Sequence, residues 1–184
     1  YGLMKKGAGV PECLTRIPMI WHGPGIQAQS EPHPAHVSNT DLMPTICNLL
    51  GVALPAGVQG RSLWPLLSGQ NYPKEEFASM LVMQGMGGLD YTSIKELDPY
   101  KEGTLFRKRP RFFDELNSWT QSGTLRMLRK GDWKLVYDMQ RRGELYHLKE
   151  DAAELKNLFG SADFKEKQME LLQEMLAWEL RTQN

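Results

Sequence analysis

The feature that most constrains the fold is a short, continuously apolar run at residues 17–21, partly β-branched and followed by Gly23-Pro24-Gly25. A run of this kind that ends in a turn predicts a buried strand. Because it is apolar throughout rather than alternating, it is typical of a parallel strand that is covered on both faces. Such a strand needs neighbouring strands, and the chain offers few before it.

The residues after this strand predict a helix over positions 41–51. Asp41 can cap the first turn, and Pro44 falls inside that turn, where its missing N–H costs nothing. Gly51 can end the helix in a left-handed conformation. The apolar residues at helical spacing on one face are Leu42, Ile46, Leu49 and Leu50. The first 50 residues therefore form one strand–loop–helix unit, which cannot bury both faces of its strand alone.

The last third of the chain predicts a different architecture. Three short strand candidates are joined by tight links, as in an antiparallel meander, at residues 125–129, 133–137 and 144–148. Residues 163–181 form an amphipathic helix whose apolar face holds Phe164, Leu171, Leu172, Met175 and Trp178. We therefore predict a three- or four-stranded antiparallel sheet over about 124–149, packed on this helix through Leu171, Met175 and Trp178.

Composition excludes several classes of protein. The 184 residues include 22 Lys plus Arg and 22 Asp plus Glu, so the basic surplus of a nucleic-acid-binding protein is missing. No stretch approaches the roughly 18 apolar residues of a membrane span. Two cysteines, Cys13 and Cys47, are too few for a disulfide framework or a metal site, and the compartment stays open.

Few residues are candidates for chemistry. Lys5 and Lys6 stand in a Gly-rich loop, where a lysine can hold an anionic oxygen, although two solvated surface lysines fit the same pattern. His36 precedes the predicted helix, and loops at the carboxyl ends of parallel strands line ligand crevices. The four histidines show no metal-ligand spacing.

The sequence contains no convincing nucleophile. Cys13 has only Arg16 as an activating neighbour, and Cys47 lies between apolar positions of the predicted helix. No serine stands in a G-x-S-x-G elbow. The basic run at residues 107–111 is flanked by aromatics that could grip a polyanion, or it is a solvated loop that packs those rings.

Several motifs, taken in order, resemble one family. They are Lys6-Gly7, Thr15-Arg16-Ile17-Pro18-Met19-Ile20-Trp21, Gly23-Pro24-Gly25-Ile26, Val37-Ser38-x-x-Asp41-Leu42-Met43-Pro44-Thr45-Ile46, Gly60-Arg61-Ser62-Leu63, Gly131-Asp132-Trp133-Lys134-Leu135 and Glu144-Leu145-Tyr146-His147-Leu148 followed by Asp151, Glu154 and Asn157. They resemble the C-terminal part of type I sulfatases, the formylglycine-dependent branch of the alkaline-phosphatase-like superfamily. The resemblance covers about residues 1–69 and 124–181.

The resemblance implies an α/β fold. The chain would hold the end of an α/β/α sandwich plus a small antiparallel sheet packed on a C-terminal helix. It implies three segments: residues 1–72 as the strand–loop–helix end of the core, 73–123 as a loop-rich variable insertion, and 124–184 as the C-terminal subdomain.

The resemblance also implies the chemistry. The family hydrolyses sulfate esters with a formylglycine made from the cysteine of C-x-[PA]-x-R, and it holds calcium or another divalent cation. This chain has no such motif, and the metal-binding aspartates precede Tyr1 in the family order. We therefore expect a C-terminal fragment that is inactive alone, with formylglycine and calcium outside it and no metal ligand in it.

Of the residues present, Lys6 falls at the family's sulfate-binding lysine and is the expected catalytic residue. Lys5 is the alternative, one residue out of register, and we expect Lys5 and His36 to contact substrate. The expected partners are a sulfated small molecule or carbohydrate and the N-terminal part of the same protein, with no nucleic acid and no membrane span.

Two other functions stay open. A phosphonate or phosphodiester hydrolase can use the same fold, and the nucleophile outside this chain would decide between the phosphodiesterases, with Thr or Ser, and the formylglycine enzymes. A non-catalytic module could instead bind anionic sugars through the meander and residues 107–111. Folding as a monomer and retaining a sulfated polysaccharide would favour that module.

Overall fold

The computed structural model of the protein describes residues 9–85 and 124–182. Its helices are α1 (Glu12–Thr15), α2 (Leu42–Leu50), α3 (Trp64–Leu67) and α4 (Lys165–Thr182), with 3-10 turns at Asn39–Asp41, Lys74–Phe77 and Ala162–Phe164. Its strands are β1 (Ser79–Gln84), β2 (Leu125–Lys130), β3 (Trp133–Asp138) and β4 (Gly143–His147). We call residues 9–78 the N-terminal region, and residues 79–85 with 124–182 the sheet–helix region.

The four strands form one antiparallel sheet in the order β1-β2-β3-β4. Their register places Leu81, Leu128, Leu135 and Leu145 in one row across the sheet. The last three are completely buried, and Leu81 packs against them. The β2–β3 turn is tight because Gly131 adopts φ 55°, a left-handed conformation that glycine reaches without steric cost.

Helix α4 covers this leucine row, as the sequence predicts. Leu171 is completely buried and Met175 nearly so, while the half-buried ring of Trp178 packs at the edge of the same core. The indole N–H of Trp178 donates to Ser79 Oγ at 2.8 Å, which satisfies its polar end. The antiparallel sheet packed on a C-terminal helix is therefore confirmed.

The origin of the fourth strand differs from the sequence prediction. The sequence predicts the sheet within residues 124–149 and a loop-rich segment over 73–123, but β1 lies at Ser79–Gln84 and pairs along its whole length with β2. The β1 segment is short and apolar, and its partner strand β2 begins only at Leu125. No pattern in the local sequence therefore predicts the pairing. The limits of the three segments remain a prediction.

The strand predicted over residues 17–21 is not formed. Among the described residues no strand runs beside this segment, and Ile17 and Ile20 are 54% and 89% exposed. A strand is held by hydrogen bonds to its neighbours, so an apolar run without a partner stays irregular. The sheet that the structure does contain is antiparallel.

Helix α2 keeps its predicted position, but the described residues leave its apolar face exposed. Gly51 ends it with φ 64°, as expected. Pro44 and Thr45 face inward and are buried. The exposed apolar side chains of the helix are Leu42, Met43, Ile46, Leu49 and Leu50. We call these five residues the α2 apolar face.

The helices of the described residues include none with the length and apolarity needed to cross a membrane.

Candidate functional site

The structure places one of the three predicted site residues. His36 is half-buried in the loop that precedes the turn Asn39–Asp41. Lys5 and Lys6 lie outside the described residues, as does the basic run at 107–111. Their expected contacts with substrate therefore stay predictions.

The backbone of His36 is held by two hydrogen bonds. Its backbone N–H donates to the carbonyl oxygen of Phe77 at 2.9 Å. Its own carbonyl oxygen accepts from Arg61 Nη2 at 3.0 Å. Because two separate elements bind the same residue, the scaffold determines where the imidazole lies.

Asp41 holds Arg61 in place, and its role differs from the predicted helix cap. Asp41 occupies the N-cap position of α2, but its side chain makes no capping hydrogen bond there. Instead Ser38 caps the preceding turn Asn39–Asp41, and its N–H donates to Asp41 Oδ2 at 2.9 Å in a capping box. The other carboxylate oxygen accepts from the Arg61 backbone N–H at 2.8 Å, and Arg61 Nη2 lies 3.3 Å from Oδ2. Asp41 is 1% exposed, so this buried carboxylate organises a loop rather than starting α2.

Gly60 is required beside this pair. A Cβ at Gly60 would overlap the carbonyl oxygen of Thr40, since the two backbones touch at this point. The approach lets Arg61 reach Asp41, and the guanidinium then lies 4.4 Å from the centroid of the Phe77 ring.

The surroundings of His36 favour its neutral form. Burial lowers the pKa of the imidazole, and the positive charges of Arg129 and Arg61 lower it further, while Asp132 opposes the change. Arg129 and Asp132 come from the sheet–helix region, so this imidazole lies where the two regions meet.

A cluster of charged side chains occupies the sheet face opposite α4. It consists of Glu12, Arg129, Lys134 and Glu154, which we call the buried charge cluster. Lys134 is 1% exposed and forms an ion pair with Glu154, and its Nζ is 3.8 Å from a Glu12 oxygen. Arg129 Nε lies 3.7 Å from the same Glu12 oxygen.

Arg129 is strongly constrained within this cluster. Burial lowers the pKa of its guanidinium, Glu12 opposes this, and the nearby charge of Arg16 lowers it again. Its Nη1 is buried and finds no hydrogen-bond partner among the described residues. Arg129 and Arg16 thus place two positive charges near the neutral His36; we call these two arginines the cationic edge, to which an anion would be attracted.

Three side chains of the sheet–helix region also bind the backbone of residues 9–12, which we call the 9–12 segment. Gly9 N–H donates to Gln84 Oε1 at 2.9 Å, and Glu12 N–H donates to Glu154 Oε2 at 2.9 Å. Lys134 Nζ donates to the Val10 carbonyl oxygen at 2.5 Å. Val10 itself packs on Met127 and Val136.

Sequence reasoning missed the buried charge cluster, although one signal was available. Residues 133–137 alternate, and Leu135 faces α4, so Lys134 had to point to the opposite face. A lysine between apolar neighbours on a strand covered on both faces indicates a buried partner. The partners come from distant parts of the chain, and no local pattern identifies them.

The described residues do not fit a calcium site. They contain no group of three or more His, Cys, Asp or Glu side chains placed to hold a metal ion. Cys13 is exposed and Cys47 half-buried, and both are free thiols. The cationic edge can bind or orient an anion, whereas bond cleavage would need a nucleophile supplied from elsewhere.

Comparisons with known proteins identify relatives of one kind. No family model matches the chain. It is 31% identical over 148 residues to a Delta 4,5-hexuronate-2-O-sulfatase of Bacteroides thetaiotaomicron, which covers 79% of this chain and 24% of the relative. It is 25% identical over 173 residues to an N-acetylglucosamine-6-O-sulfatase of the same organism, covering 94% of this chain and 26% of the relative. The chain therefore spans about a quarter of the length of these relatives.

Solved structures show the same fold. A 2-O GAG sulfatase superposes with a TM-score of 0.61 and 22% identity, over 87% of this chain and 28% of that one. A phosphonate monoester hydrolase of Agrobacterium radiobacter gives a TM-score of 0.53 and 22% identity, over 78% of this chain and 25% of that one.

Proposed function

We propose, from the place of this chain in the sulfatase family as a relative of its C-terminal portion, that it completes a sulfate-ester hydrolase. The observation that carries the proposal is the sequence identity to named sulfatases over most of the chain. Within that enzyme, the chain supplies a sulfate-binding lysine and a loop that lines the substrate crevice, and it has no activity alone.

Lys6 is the residue proposed to contact the sulfate group. When a sulfate ester is cleaved, negative charge grows on the sulfuryl oxygens and on the leaving oxygen, and a fixed ammonium stabilises it. Gly7 and Gly9 permit the loop to approach an anion closely. Lys5 is adjacent, and His36 contributes to substrate contact from its fixed loop.

Formylglycine and calcium belong to the parts of the enzyme outside this chain. In the complete enzyme they supply the nucleophile and a positive charge at the sulfate. The described residues offer no ligand set for the metal, so the role proposed for this chain concerns only its own side chains.

The partner proposed for this chain is the N-terminal part of the sulfatase fold, and it would dock on the α2 apolar face. Ile46, Leu49 and Leu50 are 48%, 42% and 70% exposed and lie on one face of the helix. Contiguous apolar surface of this kind marks an interaction site. The relatives are more than three times as long as this chain, so the additional polypeptide needed to cover the face exists in them.

A sulfated carbohydrate is the substrate class that we propose. Both curated relatives named above are sulfatases of sugar units, one of a hexuronate and one of N-acetylglucosamine. The cationic edge of Arg129 and Arg16 is compatible with an anionic sugar, since it supplies positive charge near the half-buried His36 loop.

Turnover by the complete enzyme tests this proposal. We expect it to hydrolyse 4-methylumbelliferyl sulfate, with kcat/KM at least about tenfold above that for the matching phenylphosphonate ester, and we expect the isolated 184-residue chain to hydrolyse neither. The second candidate function, a phosphonate monoester hydrolase, rests on the structural likeness to that enzyme and would reverse this preference. Sulfatase activity from the isolated chain would contradict the proposal that the nucleophile and the metal lie outside it.

The binding-module function is tested on the isolated chain. We expect the chain to pass through a heparin column in 0.15 M salt without retention, because it has no net charge. Retention of a monomeric chain, lost on replacing the basic residues of 107–111, would favour the module.

A further inference from the structure

We propose that Gln84, Lys134 and Glu154 are positioning residues. They hold the 9–12 segment and thereby fix the point from which the chain leads back to Lys6. The proposal rests on the proposed function, because it gives the sheet–helix region a part in placing Lys6. It assigns to these three side chains a role that the pairing of the four strands does not require.

The contacts are directional and complementary. Two backbone N–H groups, of Gly9 and Glu12, donate to side-chain oxygens, and one backbone carbonyl, of Val10, accepts from an ammonium. Hydrogen bonds that involve a charged group are shorter and stronger than neutral ones. Apolar packing of Val10 on Met127 and Val136 adds contact between them. The segment is therefore held in one register on the sheet.

A buried ion pair is a poor device for stability, because desolvation offsets most of the attraction. Lys134 and Glu154 have side chains 1% and 6% exposed, so the pair carries the full desolvation cost. Each member also binds a backbone group of the 9–12 segment. We infer that the pair specifies the position of that segment, a role that an apolar pair of equal volume could not perform.

The backbone of Glu154 supports this inference. It adopts φ 57°, a left-handed conformation that is unfavourable for a residue with a side chain. Such strain persists only where the surroundings over-determine it. Here the conformation presents one carboxylate to both Lys134 Nζ and the Glu12 N–H.

The 9–12 segment is joined to Lys6 by only a few residues of chain. Gly9 is three residues after Lys6, so the fixed end of the loop lies on the sheet–helix region. A displacement of about 1 Å at a reacting group can cost about 10²-fold in rate, whereas binding of the remaining substrate is little affected. Loosening the 9–12 segment should therefore lower kcat more than it raises KM.

Two sets of variants test the proposal. The first is Gln84→Ala, with Gln168→Ala as its matched control, because Gln168 Oε1 accepts from the Gly160 N–H at 2.9 Å away from the 9–12 segment. The second is the double variant Lys134→Met/Glu154→Met, which removes both charges together and avoids leaving one buried and unpaired. Amide hydrogen exchange is measured on the 184-residue chain, and kcat and KM for 4-methylumbelliferyl sulfate on the complete enzyme.

We expect Gln84→Ala to speed exchange at Gly9 by about tenfold or more, and the double variant to do the same at Glu12. Both should lower kcat by about tenfold or more, leave KM within about threefold, and keep the thermal midpoint near that of the parent. Gln168→Ala should speed exchange at Gly160 and leave kcat and the Gly9 amide unchanged.

Unchanged exchange in the variants would overturn the assignment of these contacts, and faster exchange with unchanged kcat would overturn the positioning role. A parent enzyme that hydrolyses no sulfate ester would instead overturn the proposed function, and with it the catalytic consequence. The exchange result would still decide whether the three side chains hold the segment.

Discussion

The two regions of the protein bury their apolar residues in different ways. In the sheet–helix region, Leu128, Leu135, Leu145 and Leu171 are completely buried in one core between sheet and helix. In the N-terminal region, the buried cluster is limited to Leu63, Leu66 and Phe77, and the apolar face of its longest helix, α2, faces outward.

This difference separates a region whose core is covered by its own helix from one that exposes an apolar helix face. A row of four leucines is covered by α4, so the apolar side chains of the sheet–helix region are buried against one another. Helix α2 is fixed to its neighbours on its inner side by Thr45, whose hydroxyl accepts from the Leu63 N–H at 2.8 Å. Its outer side is apolar and open, which is why we propose docking there.

The largest effect should come from truncation inside the complete core. Leu171→Ala should lower the free energy of unfolding of the chain by about 2–5 kcal/mol, because it leaves a cavity beneath the leucine row. Leu176→Ala on the outer face of α4 is the matched control and should stay within about 0.5 kcal/mol, since Leu176 is 59% exposed. Chemical denaturation measures both, and equal losses would contradict a single core between sheet and helix.

The next effect concerns the chemistry assigned to the beginning of the chain. In the complete enzyme, Lys6→Ala should lower kcat by about 10²–10³, the usual loss for one partner of a developing oxyanion. Lys5→Ala should change it by less than about threefold, as surface substitutions do. Steady-state kinetics with one aryl sulfate separates the two, and a larger loss from Lys5→Ala would show that the register is displaced by one residue.

A smaller effect should distinguish the isolated chain from the complete enzyme. Leu50→Ser should leave the unfolding free energy of the isolated chain within about 0.5 kcal/mol, because the side chain is 70% exposed there. In the complete enzyme the same change should cost about 1.5–3 kcal/mol, the value of burying one leucine. Thermal or denaturant unfolding of both proteins provides the measurement, and an equally small loss in the complete enzyme would contradict docking on α2.

The smallest effect is a pH dependence at the meeting point of the regions. The pKa of His36 is lowered from its ordinary 6.5, so the unfolded chain binds a proton at a higher pH than the folded one. Stability should therefore be full above about pH 6.5 and fall as the pH drops through the folded pKa. His36→Gln should remove this part of the slope in unfolding experiments between pH 5 and about 8, and an identical slope in the variant would exclude His36 as the cause.

Local patterns predicted local structure well. Short strand candidates joined by tight links predicted β2, β3 and β4. Helical spacing predicted α4 with Leu171 and Met175 inside, because each pattern is decided by neighbours along the chain. The left-handed conformation of Gly51 and the tight link between β2 and β3 at Gly131 could be predicted for the same reason.

What could not be predicted depends on distant residues. β1 is defined only by its pairing with β2, and the 9–12 segment only by its contacts with Gln84, Lys134 and Glu154. The strand predicted at 17–21 is absent for the opposite reason. Its pattern requires neighbouring strands, and the described residues contain none beside it. The role of Asp41 was missed because a 3-10 turn, capped by Ser38, precedes α2, and the carboxylate binds that turn and Arg61.

The long reach of the Lys134–Val10 contact bears on the order of folding. β2, β3 and β4 are joined by short turns and can pair early, whereas Val10 and Lys134 are 124 positions apart and close a very long loop. Loop closure of that length costs entropy before any contact repays it. We therefore expect the 9–12 segment to dock last as the chain folds and to detach first when it opens. A detached segment on an intact sheet would be a folded but inactive species, reached without unfolding the core.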